Sequence, residues 1–317
     1  MGRVIDFLYQ NKGLSRAIGW PLPWCYFGKM QYLWIYMNGT RGEMCARAVV
    51  KHGWQVGALI VPADKGDFFK PLAKGIGCEL IAVENVNSQP FMERVKQTRP
   101  LFGIIAGFQT IFSPQLIASH FHPVINLHAG KVPHYRGGSP LNWQIINGET
   151  SAGLAVLEVG PGIDDGPVLA ETSIAIDEHD DIATLHKRAN EIFPKLLTDA
   201  LARMTNPDGP FAGTPQDDSR ARYWLQRSDV DGEIIWSNMT SKQVHNLVRG
   251  VTRPYPGAWC ADTRIWRTSL YDRIFGPPGR VAFVQGKGPY VCCSDSAILV
   301  DEYSGPRLRH GMCLRHQ

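Results

Sequence analysis

The sequence predicts an α/β protein: a doubly wound, mostly parallel sheet followed by a small β-rich domain. Three observations predict it. From residue 32 to residue 204, short apolar runs alternate with amphipathic segments, the pattern of buried parallel strands joined by crossover helices. Residues 206–219, rich in Pro, Gly, Asp and Thr, then interrupt the alternation as a linker would. Beyond them, brief strand-like runs punctuated by Gly and Pro suit a small or partly open barrel. At roughly 100–200 residues per domain, a chain of 317 residues accommodates both units.

Taken in order, residues 32–37 read as an apolar strand and 43–52 as a helix. Residues 57–61 and 78–83 are a second and third strand, 90–97 is helical, and 102–107 is a fourth strand. Ser113 can cap a short helix over 114–119. Residues 123–128 form a fifth strand, and 139–147 a helix closed by Gly148. Residues 154–159 and 167–176 are further strands. A long helix follows, capped by Asp180 or Asp181, with Ile182, Leu185, Ala189, Ile192, Leu196 and Ala200 on its buried face. Pro194 is expected to kink it. The loop 62–67 after the second strand reads as short and mixed in charge. The second domain has one helix, 241–251, and strand-like runs at 259–261, 266–271, 280–285, 290–293 and 297–300. The chain thus divides into an N-terminal arm (1–29), an α/β domain (30–205), a linker (206–221), a β-rich domain (222–305) and a basic tail (306–317). The arm, with Trp20, Trp24, Tyr26 and Phe27, either packs on the body or a partner, or is a loosely ordered leader.

Composition narrows the function classes. Hydrophobic residues at 44% and charged residues at 20% belong to a globular chain, not a disordered or fibrous one. A net charge of +4 is too small to argue for nucleic acid. No apolar run approaches the ~18 residues of a membrane span, and Asn11, Lys12, Ser15 and Arg16 interrupt any signal-peptide core. The seven cysteines, an odd number without a CxxC pair, speak against a disulfide framework or a zinc site and for buried thiols in the cytoplasm. His120 and His122 lack ligand partners at metal-binding spacing and read as loop residues; Cys292-Cys293 reads as core. The Gly39-Thr40-Arg41-Gly42 turn lacks the full dinucleotide fingerprint.

Ligands of open α/β sheets bind outside the carboxyl ends of the strands. The fifth strand ends in Ile125-Asn126-Leu127-His128-Ala129-Gly130, and a period of two puts Asn126 and His128 on one face. The Gly-rich run Gly160-Pro161-Gly162-Ile163-Asp164-Asp165-Gly166 can bring Asp164 over the same crevice. An Asn, a His and an Asp suit acyl transfer to an amine: the amide donates to a developing oxyanion, the imidazole takes the amine's proton, and the carboxylate stabilises the imidazolium. Read bare, Asn-x-His at a strand end is more often a structural pair, and Asp164 alone can simply cap a turn.

The run Asn126-Leu127-His128-Ala129-Gly130-Lys131-Val132-Pro133 with Tyr135-Arg136-Gly137 and Pro140, followed by Gly162-Ile163-Asp164-Asp165-Gly166-Pro167-Val168-Leu169, resembles the signature of the formyltransferase family. The resemblance implies a Rossmann-like fold, a catalytic triad of Asn126, His128 and Asp164, and N10-formyltetrahydrofolate as formyl donor. The implied folate crevice is lined by Gly107, Phe108, Gln109 and Ile111, and by Gly160, Gly162 and Ile163, with Phe108 open to a core role instead. Asp231-Gly232, Trp236, His245-Asn246-Leu247-Val248-Arg249 and Arg253-Pro254-Tyr255-Pro256-Gly257-Ala258 resemble the family's OB-like C-terminal module, read either as a binding element or as a lid or homodimer surface.

The stretch His128-Ala129-Gly130-Lys131-x-Pro133-x-Tyr135-Arg136-Gly137 departs from the Ser-Leu-Leu-Pro of transfer-RNA and purine-pathway members. It looks like the branch acting on nucleotide-linked amino sugars. Lys131, His134, Tyr135, Arg136 and Trp143 are then the substrate-side candidates. Lys131 and Arg136 either face diphosphate oxygens or are surface charges. The basic tail (Arg307, Arg309, His310, Arg315, His316) keeps a transfer-RNA substrate open, although nucleic acid is disfavoured as a partner. Formylation of another small amine and a non-catalytic binding protein are further alternatives.

Overall fold

Five short apolar segments become parallel strands. β1 (Leu33–Met37), β2 (Val56–Pro62), β3 (Glu79–Val83), β4 (Phe102–Ala106) and β5 (Ile125–His128) pair in the order β3-β2-β1-β4-β5. β1 and β4 are buried at every position, so helices must cover both faces. The short β6 (Arg136–Gly137) stands apart, and β7 (Ser151–Glu158) and β8 (Val168–Ala175) extend the sheet antiparallel from β5. The sheet is mostly parallel, as expected. The computed structural model describes residues 32–314; the aromatic arm, with Cys25, and Arg315 and His316 of the tail lie outside them.

Alternate residues of β1 feed two cores. Leu33, Ile35 and Met37 join α1 (Thr40–Lys51), α2 (Gly66–Ile76), α5 (Pro140–Ile146) and α6 (Ile182–Met204) on one face. Trp34 and Tyr36 join α3 (Gln89–Thr98) and α4 (Pro114–Ile117) on the other. Ser113 caps α4, accepting from the Leu116 amide. α2 is absent from the sequence reading because Gly66, Pro71 and Gly75 lower its intrinsic propensity. Burial of Phe69, Leu72 and Ala73 outweighs that cost. In α6 the cap is Asp181, accepting from the Thr184 amide, while Asp180 is held by both terminal nitrogens of Arg188. The helix runs through Pro194 as one element, and Phe193 rather than Ile192 occupies the buried stripe.

Residues 206–221 are not a slack connection. Thr214 exchanges two backbone hydrogen bonds of 2.8 Å with Val168, and β9 (Tyr223–Trp224) pairs in parallel with β6. Residues 214–226 therefore form a strap across the α/β domain. The second domain follows: α7 (Ser241–Val251), capped by a reciprocal Thr240–Gln243 box, and an antiparallel sheet. Its strands are β10 (Ala258–Cys260), β11 (Thr263–Tyr271), β12 (Val281–Val284), β13 (Lys287–Cys292) and β14 (Ala297–Ser304), in the order β10-β11-β14-β13-β12. α7 packs on α5 so closely that a Cβ on Gly250 would lie 2.7 Å from Ile146. No described helix is long and apolar enough to cross a membrane. Cys45, Cys260, Cys292 and Cys293 are buried free thiols, and burial pushes Cys45 and Cys293 up to about 12.

Candidate active site

β5 presents Asn126 and His128 from one face, and the loop after β7 folds back to set Asp164 between them. Asn126 donates from Nδ2 to Asp164 Oδ1 at 3.0 Å. His128 Nδ1 lies 3.4 Å from Asp164 Oδ2, with the two side chains 5% and 13% exposed. The backbone amide of Gly137 donates to the same Oδ2 at 2.9 Å. His128 Nε2 sits 2.6 Å from the Tyr135 carbonyl, which only accepts, so that nitrogen carries hydrogen. In the neutral ring Nδ1 is then the nitrogen with a free lone pair, and it faces the carboxylate. Gly130 is required here by close approach: a Cβ would lie 2.3 Å from His128 Nε2 and 2.4 Å from the Tyr135 oxygen.

Asp164 has φ of +50°, a left-handed conformation costing a non-glycine residue roughly 1–3 kcal/mol. The strap holds it there. Gln216 donates from Nε2 to the carbonyls of Asp164 (2.8 Å) and Gly166 (2.7 Å), while its Oε1 accepts from Arg136 Nε and Nη2 at 3.1 and 3.0 Å. Arg136 also donates to Asp218 and to the Tyr223 hydroxyl, and is 1% exposed. This corrects the expectation that Arg136 faces a ligand: its guanidinium is enclosed as the strap's anchor. Tyr135 is similarly engaged. It is buried, stacked on Trp224 at 5.4 Å and 10°, and donates to Glu149. Burial raises its pKa to about 12, with Glu149 adding to the effect. Trp143 also packs on the strap's tryptophan, with centroids 5.1 Å apart, and donates to the Leu225 carbonyl.

Lys131 and His134 stay at the surface, and the strap adds two cations beside them. Arg220 Nη2 is 3.3 Å from His134 Nε2. Partial burial lowers the His134 pKa, and the positive charges of Arg220, Arg222 and Lys131 lower it further. Four groups able to carry positive charge therefore converge on this rim. Of the folate-side candidates, Ile111 and Ile163 are 74% and 50% exposed on separate loops, while Phe108 packs edge-on to Tyr36 and Phe112. The 107–113 loop is braced by Asn87, which donates to the Ile111 carbonyl and accepts from the Ser113 amide. Gly107 (φ +82°) makes the turn after β4, and Gln109 is exposed there. Gly160 and Gly162 wrap the Asp165 carboxylate, which accepts from the Gly162 amide. Among the described residues, no three His, Cys, Asp or Glu side chains are grouped to hold a metal ion. His120 lies in the bend after α4, a loop position as read, and is buried there: it is 3% exposed, bonded to the Leu116 carbonyl and the Tyr36 hydroxyl.

A family model described as formyl transferase matches residues 39–201, and one for the formyl transferase C-terminal domain matches residues 227–307. The chain belongs to the formyl transferase family. Solved structures share the fold. An N-formyltransferase from Helicobacter canadensis, complexed with folinic acid and dTDP-3-aminofucose, has 17% identity and a TM-score of 0.69, with 86% of this chain and 99% of that one covered. HypX from Aquifex aeolicus in complex with tetrahydrofolic acid has 16% identity and a TM-score of 0.61; the match covers 88% of this chain but only 45% of the HypX chain, so this chain spans about half its length. Methionyl-tRNA formyltransferase from Clostridium thermocellum has 16% identity and a TM-score of 0.54 over 77% of this chain and 94% of that one.

Several residues that shape the site are not legible in the sequence: Gln216, Asp218, Arg220, Arg222, Tyr223 and Trp224. All lie in the strap, about 80 positions from their partners in the motif, where no periodicity or spacing signal operates.

Proposed function

We propose that the chain transfers a formyl group from N10-formyltetrahydrofolate to the free amine of a nucleotide-linked amino sugar, in the cytoplasm. The observation that carries this is the contact of one carboxylate, Asp164, with both Asn126 and His128 in a water-poor recess. Asn126 has a second amide hydrogen free of Asp164, suited to an oxyanion growing on the formyl oxygen. His128 takes the proton shed by the attacking amine at Nδ1, because Nε2 is committed to Tyr135. Asp164 then stabilises the imidazolium across 3.4 Å. Held in register, the amine nitrogen bonds to the formyl carbon, the bond from that carbon to N10 of the donor breaks, and the imidazolium returns its proton to N10, with no serine or cysteine nucleophile.

The donor supplies an activated formyl carbon. The exposed apolar side chains of Ile111 and Ile163, with the backbone around Gly107, Gln109, Gly160 and Gly162, offer what a pterin with polar edges requires. On the acceptor side, Lys131, Arg220 and Arg222 supply positive charge for a diphosphate and the neutral His134 ring a hydrogen bond, in place of Arg136. The ligands named for the Helicobacter canadensis structure, folinic acid and dTDP-3-aminofucose, support the same pairing of donor and acceptor.

Release of tetrahydrofolate during a screen of UDP-, dTDP- and GDP-linked amino sugars tests the proposal. At least one should turn over, and Asp164→Asn or His128→Ala should lower kcat by about 10²–10⁴ with the fold retained. Near-wild-type turnover in either variant sinks the mechanism. Turnover of none of the sugars, with salt-sensitive binding and formylation of methionyl-tRNA, replaces the acceptor.

A further inference from the structure

Apart from the crevice, the second domain holds a cavity of ≈ 550 Å³ between β12, β13, the end of β14 and the segment that follows it. The volume falls inside the range of about 300–1,000 Å³ typical of small-molecule sites. Its walls combine the rings of Phe283 and Tyr303 with Arg307, Arg309 and His310, and no carboxylate lines it. The segment is pinned by backbone: Val281 donates to the Met312 carbonyl, and Gly311 donates to the Val281 carbonyl. Buried Leu308 anchors it further.

Hydrogen-bond bookkeeping shows what these walls can offer. The Tyr303 hydroxyl accepts from the Leu308 amide at 3.3 Å, so its own hydrogen remains to be donated. His310 Nδ1 accepts from the Phe283 amide at 3.1 Å, so the neutral ring carries its hydrogen on Nε2. Arg307 and Arg309 form no ion pair among the described residues. The cavity therefore presents donors and positive charge beside aromatic faces. The complementary ligand has a flat, partly apolar ring and an end that only accepts hydrogen bonds.

We propose that this cavity binds a nucleotide, its base against Phe283 and Tyr303 and its phosphates on Arg307 and Arg309. The assignment does not rest on formyl transfer, because none of these residues belongs to the crevice. Calorimetric titration of the full chain with UDP, dTDP, inorganic pyrophosphate and a short single-stranded RNA tests it. A nucleoside diphosphate should fill one site more in the wild-type chain than in the double variant Arg307→Ala/Arg309→Ala. That site should weaken by at least about tenfold on loss of two guanidinium groups. Phe283→Ala should weaken the nucleotide but not pyrophosphate, and kcat and KM of any formyl acceptor should stay at wild-type values in both variants. Identical isotherms for the wild-type chain and the arginine variant overturn the proposal. So does pyrophosphate binding as tightly as the nucleotides, or RNA binding without free-nucleotide binding. Because the readout is a difference in stoichiometry, a crevice that takes no sugar nucleotide changes the total but not the predicted loss.

Discussion

Gln216→Ala is the most informative perturbation of the site, since the residue touches no reacting atom and yet fixes the geometry of Asp164. The substitution removes two neutral hydrogen bonds, to the carbonyls of Asp164 and Gly166, and a forked pair from Arg136. At about 1 kcal/mol for each neutral bond and about 1.5–3 kcal/mol for the charge-assisted fork, the sum is about 3.5–5 kcal/mol. Gln216 is only partly buried, so entering water returns some of it, and a loss of about 2–4 kcal/mol in unfolding free energy is expected. Asp164 would also lose a restraint that opposes the roughly 1–3 kcal/mol cost of its positive φ. If about half of that loss had served orientation, kcat falls by roughly 5–30-fold at about 1.4 kcal/mol per decade. KM for the acceptor should change little, because Lys131, Arg220 and Arg222 of the rim remain. Thermal melting and steady-state kinetics on the same preparation provide the assay. A folded variant with lowered Tm and wild-type kcat would falsify the claim that the strap positions the carboxylate.

Two further perturbations follow from the same contacts. Gly130→Ala puts a methyl carbon where only 2.3 Å separates it from His128 Nε2; the ring must leave the Tyr135 carbonyl, and kcat should drop by about 10² or more with an unchanged circular dichroism spectrum, whereas wild-type rates would show that His128 orientation is irrelevant. His120 is held neutral by burial, its pKa lowered to about 4. The unfolded chain, with the ordinary value near 6.5, binds the extra proton first, so this contribution is complete above pH ~6.5 and is lost as pH falls toward ~4. Denaturant titrations near neutrality and near pH 4.5 should therefore show a smaller acid loss in His120→Asn than in the wild-type chain, by about 2–3 kcal/mol; equal losses would contradict the assignment.

The parts of this structure legible in the sequence are those set by local period. The burial of Leu33, Ile35 and Met37 on one side and of Trp34 and Tyr36 on the other follows from strand alternation. The shared face of Asn126 and His128 is the same rule, and the Gly-rich turn announces a loop able to return Asp164 to them. α2 was hidden because Pro71 and two glycines argue against a helix that tertiary burial nevertheless stabilises. Arg136 was misread for a different reason. A conspicuous arginine in a motif looks the same whether it meets a ligand's phosphate or a buried glutamine, and its partners Gln216, Asp218 and Tyr223 lie 80 or more positions away. The loop position of His120 is legible, but its burial is not, because that depends on Tyr36, 84 positions upstream.

The dependence of the site on distant chain makes truncation a graded test. A chain ending at residue 205 keeps Asn126, His128 and Asp164 but loses the strap, which uncovers Arg136 to water and removes the Gln216 hydrogen bonds that hold Asp164 at its positive φ. Without that restraint Asp164 can relieve a conformation costing roughly 1–3 kcal/mol by leaving the site, so this fragment should be less stable and inactive. A chain ending at residue 228 restores the strap, including the Trp224 ring that packs on Tyr135 and Trp143. It still lacks the second domain's inward contacts: Arg249 donates to the carbonyls of Asp177 and Asp180 at 2.7 and 2.8 Å, and the Gly250 carbonyl accepts from Asn142. His245 lies 3.2 Å from the Glu178 carbonyl, and Tyr255 is bonded to His186. None of these touches the carboxylate, so the longer fragment should melt earlier than the full chain while retaining measurable turnover. Soluble yield, Tm and tetrahydrofolate release rank the three chains. If the shorter fragment matches the longer in rate, the strap is dispensable and Asp164 is held by β5 and its own loop alone.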